Sequence, residues 1–385
     1  MRILVLSHEY PPIGGGGSRV VQDVSRGLAR LGHEVQIITA HWKDLPREET
    51  QESVIIHRVV SGRTQPFRAG MRAMSGFVVA GGWATLRLVR SWKPDVIHVH
   101  FAVPNGVAAL AVSRLTGVPY VLTAHLGDVP GGSPEKTGRW FRWIAPFTPP
   151  IWKGAAQVVA VSQFTRSLAL QRYPVDIQVV LNGVDLDELN PGEIRLNSPV
   201  RVIFAGRFVA QKDPVQVVRS LAAVKDLPWT CSMLGDGALR AEVEQEIARQ
   251  GLQERFNLPG WVTPAEVIEA FRRSDILFMP SRTEGLPVVG VQATALGLAL
   301  VLSQAGGNVD LVDKVGDSED GKGGENGFLV DLAHPQGFEE ALRSLIGSPE
   351  KLLAYRKASR KVAEKFELRG VVESYDQIFT RVVQQ

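Results

Sequence analysis

Residues 281–295 read SRTEGLPVVGVQATA and combine three features that together suit an anionic ligand. A short apolar run, 276–279, ends at Pro280 like a buried strand, and a helical pattern starts at Pro287 or Val288. Proline suits a first helical turn, where its missing N–H would have no partner anyway. Glu284 then stands in the loop just ahead of a helix N-terminus, and Gln292 follows eight positions later on the helix body. The amides of residues 285–289 and the positive end of the helix dipole favour phosphate. The plain alternative is that Glu284 only caps the helix and Gln292 faces water.

Other charged or polar groups fall at comparable corners. Residues 206–213, GRFVAQKD, follow a strand pattern at 200–205 and bring Arg207 and Lys212 to its carboxyl end. Arginine grips two phosphate oxygens at once, whereas lysine acts as a point charge. Near the start, Pro11-Pro12-Ile13 runs into four glycines, Gly14 to Gly17, between a first strand and a first helix, so the backbone there can turn tightly against a phosphate. His125 ends another strand in TAHLGD. His98 and His100 alternate along one strand face without a third ligand nearby, a weak metal case. Asp185-Leu186-Asp187 follows Asn182-Gly183 and reads as a turn, and Ser162 has no nucleophile-elbow context. A nicotinamide fingerprint fails because no acid ends the second strand, at ITAHW. No Walker sequence occurs.

The elements that position these groups follow from periodicity. Apolar strand candidates at 3–6, 35–39, 54–59, 96–99, 120–124, 157–161 and 178–181 alternate with helices, the first over 18–31. The pattern restarts with strands at 200–205, 230–234, 276–279, 300–303 and 328–330, and helices near 214–225, 239–250, 264–273 and 337–346. Such runs argue for parallel sheets buried on both faces, in two doubly wound α/β units. Ligands of such units sit beyond the carboxyl ends of the strands, in the cleft between them. The chain divides as 1–190, 191–365 and a terminal helix 366–385, with residues 182–199 as the linker.

Composition narrows the class. The chain has 385 residues, 44% hydrophobic and 22% charged, as in a folded enzyme. A lone cysteine, Cys231, excludes internal disulfides and a cysteine-rich metal cluster, in keeping with a reducing cytoplasm. No apolar run reaches the length of a spanning helix. The net charge of +3 hides an asymmetry: residues 1–190 hold 20 Lys and Arg against 14 Asp and Glu, and the remainder holds 23 against 26. That excess is too small for nucleic acid and suits a phosphate-bearing substrate or an anionic membrane. No acid falls between Glu52 and Asp95 or between Glu135 and Asp176, and both stretches mix cations with Trp and Phe. This points to peripheral contact with the inner face of a membrane, or else to aromatics buried in the fold.

The ordered set of motifs resembles glycosyltransferase family 4, the retaining transferases of the GT-B fold. It comprises the Pro-Pro-glycine loop, Gly32-His33-Glu34-Val35, Thr123-Ala124-His125, Val161-Ser162 and Asn182-Gly183-Val184-Asp185. Gly206-Arg207 with Lys212, Gly235-Asp236-Gly237, Pro280-Ser281, the Glu284 motif and Glu325-Asn326-Gly327-Phe328-Leu329-Val330 complete it. The resemblance implies two Rossmann-like domains, the terminal helix crossing back to the first. It implies a hexosyl-type transferase that moves a sugar from a nucleotide-diphosphate donor to a glycan or lipid-linked acceptor, in polysaccharide or glycolipid synthesis, without metal or cofactor. Arg207 and Lys212 would neutralise the leaving diphosphate and Glu284 would hold sugar hydroxyls. Gly285, Leu286, Pro287 and Val288 would hold sugar and phosphate, and Gly15 and Gly16 would line the phosphate from the other domain. His125 would lie near the reaction centre and residues 258–262 beside the base. The family pattern is E-x7-E, and here the second glutamate is Gln292, which gives up a charge-assisted acceptor. The loop at 307–310 also lacks a proline and a glutamate common there. A nucleotide-sugar epimerase on the same fold and a non-catalytic nucleotide-sugar binder are the rival readings.

Overall fold

The computed structural model describes residues 1–67, 69–132, 143–313 and 324–385. The chain forms two compact units, Met1–Gly183 with Leu368–Gln385, and Val184–Glu367.

In the first unit eight strands form one sheet: β1 (Arg2–Leu6), β2 (Glu34–Ala40), β3 (Glu48–Gln51), β4 (Val54–Val59), β5 (Val96–His100), β6 (Tyr120–Ala124), β7 (Gln157–Ala160) and β8 (Ile177–Val179). Their order is β3-β4-β2-β1-β5-β6-β7-β8. All pairs are parallel except β3 with β4. The order reverses at β1, which lies between β2 and β5, so the crevice for a ligand opens beyond the carboxyl ends of those strands. Helices α1 (Gly16–Arg30), α2 (Met71–Trp92), α3 (Val107–Thr116) and α4 (Gln163–Leu170) make the crossovers.

Two elements have weak sequence signals. β3, EETQ, shows no apolar alternation; it is an edge strand held by pairing with β4 and by an ion pair from Glu49 to the buried Arg58. Helix α2 carries Gly76, Gly81 and Gly82 in its interior, each unfavourable there by roughly 1 kcal/mol. Packing compensates. A Cβ on Gly76 would lie 2.3 Å from the Ser61 carbonyl, and one on Gly81 would lie 2.9 Å from the Phe77 ring. Ala73, Phe77, Gly81, Thr85 and Val89 recur every fourth residue as the buried stripe. No helix among the described residues is long and apolar enough to cross a membrane.

The second unit holds β9 (Val200–Ala205), β10 (Trp229–Leu234), β11 (Phe256–Gly260), β12 (Ile276–Met279), β13 (Ala299–Ser303) and β14 (Gly327–Val330). They are all parallel, in the order β11-β10-β9-β12-β13-β14. The connecting helices are α5 (Pro214–Ala222), α6 (Arg240–Gln250), α7 (Pro264–Arg272), α8 (Val288–Ala295), α9 (Gln336–Ile346) and α10 (Pro349–Val362). Strand β11 contains Pro259, which is tolerated because β11 lies at the edge. The terminal helix α11 (Leu368–Val383) belongs to the first unit and packs on α1, where Gly27 leaves room for Val372: a Cβ there would sit 2.3 Å from its methyl carbon.

Candidate functional site

In the second unit two neighbouring loops, after β9 and after β12, are zipped together. The Arg282 amide donates to the Gln211 carbonyl (2.8 Å), the Gln211 side chain donates to the Thr283 carbonyl (3.0 Å), and the Arg282 guanidinium pairs with Asp213 (3.1 Å). This zipper brings Lys212 Nζ to 2.6 Å from Glu284 Oε1. Both side chains are largely withdrawn from water, at 14% and 7% exposure. Lys212 lies over Gly206, its Cδ and Cε 3.6 Å from where a Cβ would stand. Arg207, half-buried in the same loop, has no carboxylate partner among the described residues.

Glycines let backbone meet backbone beneath this pair. A Cβ on Gly235 would lie 2.0 Å from the Gly206 carbonyl, and one on Gly237 2.5 Å from the Phe208 carbonyl, so GDG presses directly on the Arg207 loop. On the Glu284 side, the Gly307 amide donates to the Glu284 carbonyl (2.8 Å), and a Cβ on Gly307 would overlap the Gly285 carbonyl at 1.4 Å. Ser303 Oγ donates to the Ser281 carbonyl, and Asn308 Nδ2 holds Ser303 through its carbonyl (3.2 Å) and hydroxyl (3.0 Å). The 303–308 loop is thus a splint for Glu284, a role its sequence does not announce.

Past Glu284, Leu286 and Pro287 are buried, while Gly285, Val288 and Gln292 are half-buried. Pro287 precedes α8, and its carbonyl takes the amides of Gly290 (2.9 Å) and Val291 (3.1 Å), which leaves the amides of Val288 and Val289 at the head of the helix as donors. Arg207, Lys212, Glu284 and Gly285 thus lie in loops at the carboxyl ends of β9 and β12, whereas Gln292 lies on the body of α8.

In the first unit the glycine turn leads into α1. Gly14 has φ +99° and its amide donates to the Pro66 carbonyl (2.8 Å). Gly15 and Gly16 are exposed, and open space surrounds the Cβ position of Gly15. A Cβ on Gly17 would meet the Phe101 ring at 2.7 Å and His125 Nδ1 at 3.7 Å. His125 is therefore beside the glycine turn. Its ring stacks on Phe101 with centroids 4.4 Å apart, and its backbone amide donates to Asp128 (2.8 Å). Sequence reading missed His8, Glu9, Arg63 and Asn105, which complete this corner. Asn105 Oδ1 accepts from the His8 amide (3.1 Å), and its Nδ2 donates to the His100 carbonyl.

His98 and His100 are wholly buried and do not form a metal centre: no cluster of three metal-ligating groups occurs among the described residues. His98 Nε2 bonds to Thr123 Oγ1 (2.9 Å), which in turn meets the Tyr375 hydroxyl (3.1 Å) from α11. Burial, with the nearby His125, lowers His98 from its ordinary pKa to about 3; burial, then His98 and His125, pushes His100 well below the usual range. Both are neutral in the fold but protonate in the unfolded chain, so stability is full above about pH 6.5 and falls as the pH drops below it. His98 alone costs about 2 kcal/mol between pH 7 and 5, and His100 adds to it. Urea midpoints across that interval measure this; a flat profile would show that these rings take up protons without unfolding.

Two parallel α/β units, each with polar and glycine-rich loops at its strand ends, define a Rossmann-like GT-B architecture. Sucrose-phosphate synthase from Thermosynechococcus elongatus shares the fold, with a TM-score of 0.82 at 17% identity over 99% of both chains. Anabaena HepE in complex with UDP-glucose matches with a TM-score of 0.74 at 18% identity, over 99% of this chain and 100% of that one. Among curated sequences, an uncharacterised glycosyltransferase of Methanocaldococcus jannaschii is 25% identical over 98% of this chain and 99% of its own. The model of Glycosyltransferase Family 4 matches residues 14–188, and that of Glycosyl transferases group 1 matches residues 188–362. Between them they span nearly the whole chain, and the protein belongs to this glycosyltransferase family; it transfers sugar from a nucleotide sugar.

Proposed function

We propose that the protein is a retaining, metal-independent hexosyltransferase acting on the hydroxyl of a glycan or lipid-linked acceptor, in polysaccharide or glycolipid synthesis. The observation that carries this reading is the Lys212–Glu284 pair, 2.6 Å apart at the head of α8 and seated over Gly206. Lys212 and Arg207 take the charge that develops on the departing diphosphate, as a metal does elsewhere. Glu284 has acceptor capacity left for a sugar hydroxyl. The α8 amides, with Gly285 to Val288, hold phosphate and sugar, and Gln292 bonds a ribose hydroxyl. His125 contacts the sugar, and Gly15 and Gly16 form the first unit's phosphate turn. The sequence motifs place no second carboxylate as a nucleophile, so the acceptor oxygen attacks the anomeric carbon from the face the phosphate leaves. The C–O bond to phosphate breaks as the new one forms, and the acceptor proton passes to the phosphate oxygen.

The test is a thermal-shift panel of UDP-, GDP-, ADP- and TDP-sugars, since a ligand that binds only the folded state stabilises it by mass action. Anomeric configuration is then read from the product of the donor that binds; an inverted anomer defeats the retaining assignment.

A peripheral membrane contact has its own support. Met71, Val79 and Trp83 are exposed on α2 at 52%, 74% and 70%, beside exposed Arg72, Arg87 and Arg90, and the helix has no acid. Of the other aromatics in the basic stretches, Phe67, Trp143 and Phe147 are exposed, whereas Phe77 and Trp152 are core; residues 136–142 of the second stretch lie outside the described residues. Each basic residue near an anionic surface contributes about 1 kcal/mol. Sedimentation with phosphatidylglycerol vesicles should show salt-sensitive binding, reduced about tenfold or more by Arg87→Ala with Arg90→Ala. Equal sedimentation of wild type and variant ends the idea.

A further inference from the structure

We infer that Arg63 is a positioning residue for the glycine turn of the first unit, and that it offsets the charge Glu9 places against that turn. The inference rests on the reading above that Gly15 and Gly16 receive the donor's phosphate.

An arginine in the interior is costly unless its donors are satisfied. The Arg63 side chain is 1% exposed. Its Nε donates to the Gln65 carbonyl (2.9 Å), one terminal nitrogen to the His8 carbonyl (3.3 Å), and the other to the Pro66 carbonyl (3.0 Å) and to Glu9 Oε1 (3.3 Å). One planar fork thus joins the exit of β1 to the loop that follows β4. The Pro66 carbonyl held by Arg63 is also the acceptor of the Gly14 amide. The guanidinium is therefore one bond removed from the glycine turn. Lysine, with a point charge and no fork, cannot reproduce this set.

The charge balance matters as much as the tether. Glu9 Oε2 lies 2.7 Å from where a Cβ on Gly14 would stand, so the carboxylate rests on the turn itself. A negative group there opposes phosphate. Arg63 counters it, with the His8 ring 3.8 Å from the same carboxylate.

The experiment uses the full chain and the same four-base donor panel. Arg63→Gln should raise the Kd of whichever donor stabilises the wild type by about tenfold, the size of one lost charge-assisted bond. Hydrogen exchange in residues 11–18 should quicken together with it. Adding Glu9→Gln to that variant should recover several-fold of the binding while exchange stays fast, because the repulsion goes and the tether does not return. Recovered binding with the turn still exchanging fast separates relief of the repulsion from a general repair of the fold, which would slow exchange as well. Arg63→Lys serves if the glutamine variant does not fold, and should bind about threefold more weakly than wild type with the same fast-exchanging turn. Wild-type affinity in Arg63→Gln or Arg63→Lys, or a double variant no better than Arg63→Gln, overturns the inference and leaves the donor reading intact. A wild-type protein stabilised by no donor overturns the donor reading and this inference with it.

Discussion

Lys212→Ala is expected to lower the turnover of sugar transfer by about 10²- to 10³-fold, the usual cost of removing one group that stabilises charge developing in a transition state. It also lowers Tm, because Glu284, 5% exposed, loses its partner at 2.6 Å. The two effects separate in the double variant. Lys212→Ala with Glu284→Gln leaves no unpaired charge, so the Tm returns while turnover does not. Arg207 supplies the contrast. It is half-buried and pairs with no carboxylate among the described residues, so Arg207→Ala should lose activity with little change in Tm. Steady-state assays beside calorimetry measure both. A Lys212→Ala enzyme that keeps a third of wild-type turnover removes Lys212 from the leaving-group role.

How much of this could be read beforehand depends on the kind of signal. The corner at Glu284 was legible because strand, loop and helix are consecutive in the chain and each has its own local mark: the apolar run of β12, Pro280, and Pro287 before α8. That Lys212 belongs to the same site followed from its place after a strand. The 2.6 Å contact, made across 72 residues, depends on a backbone zipper between Gln211 and residues 282 and 283 that no periodicity encodes. Arg63 shows the reverse failure. In the sequence it looks like the other cations of an acid-free stretch, yet it is buried while Arg72, Arg87 and Arg90 are exposed. Burial of a cation is decided by carbonyls on other segments, here at residues 8, 65 and 66. The glycines of α2 lower helix propensity and are explained only by packing, as points of close approach against Ser61 and Phe77. The alternation of His98 and His100 correctly placed both on one face, but their neighbour Tyr375 comes from the far end of the chain.

Arg356→Ala is expected to destabilise the second unit by about 3–5 kcal/mol, the range for breaking a buried ion pair by removing one partner. Arg356 is 4% exposed and Asp275 is fully buried. The guanidinium pairs with Asp275 and also donates to the carbonyls of Gly297 (2.8 Å) and Arg195 (2.7 Å). Burial lowers the arginine's pKa, and the Asp275 charge pulls it back up. Asp275 takes further bonds from the Arg201 amide (2.9 Å) and the Asn197 side chain (3.1 Å), so an unpaired carboxylate would remain held in place. Replacing both partners with apolar residues of similar volume should cost far less than the single change. Denaturant unfolding measures the difference, and a loss under 1 kcal/mol for Arg356→Ala would mean that water reaches the site. The consequence for function runs through Gly297, which with Leu298 leads out of α8 and is bound to α10 by Arg356 and by Ser359 (2.6 Å). Loosening α10 therefore loosens α8, the helix proposed to hold the donor through its amides. Donor at a hundredfold excess over its Kd should then return about 2.7 kcal/mol, and the variant should fail first when substrate is absent.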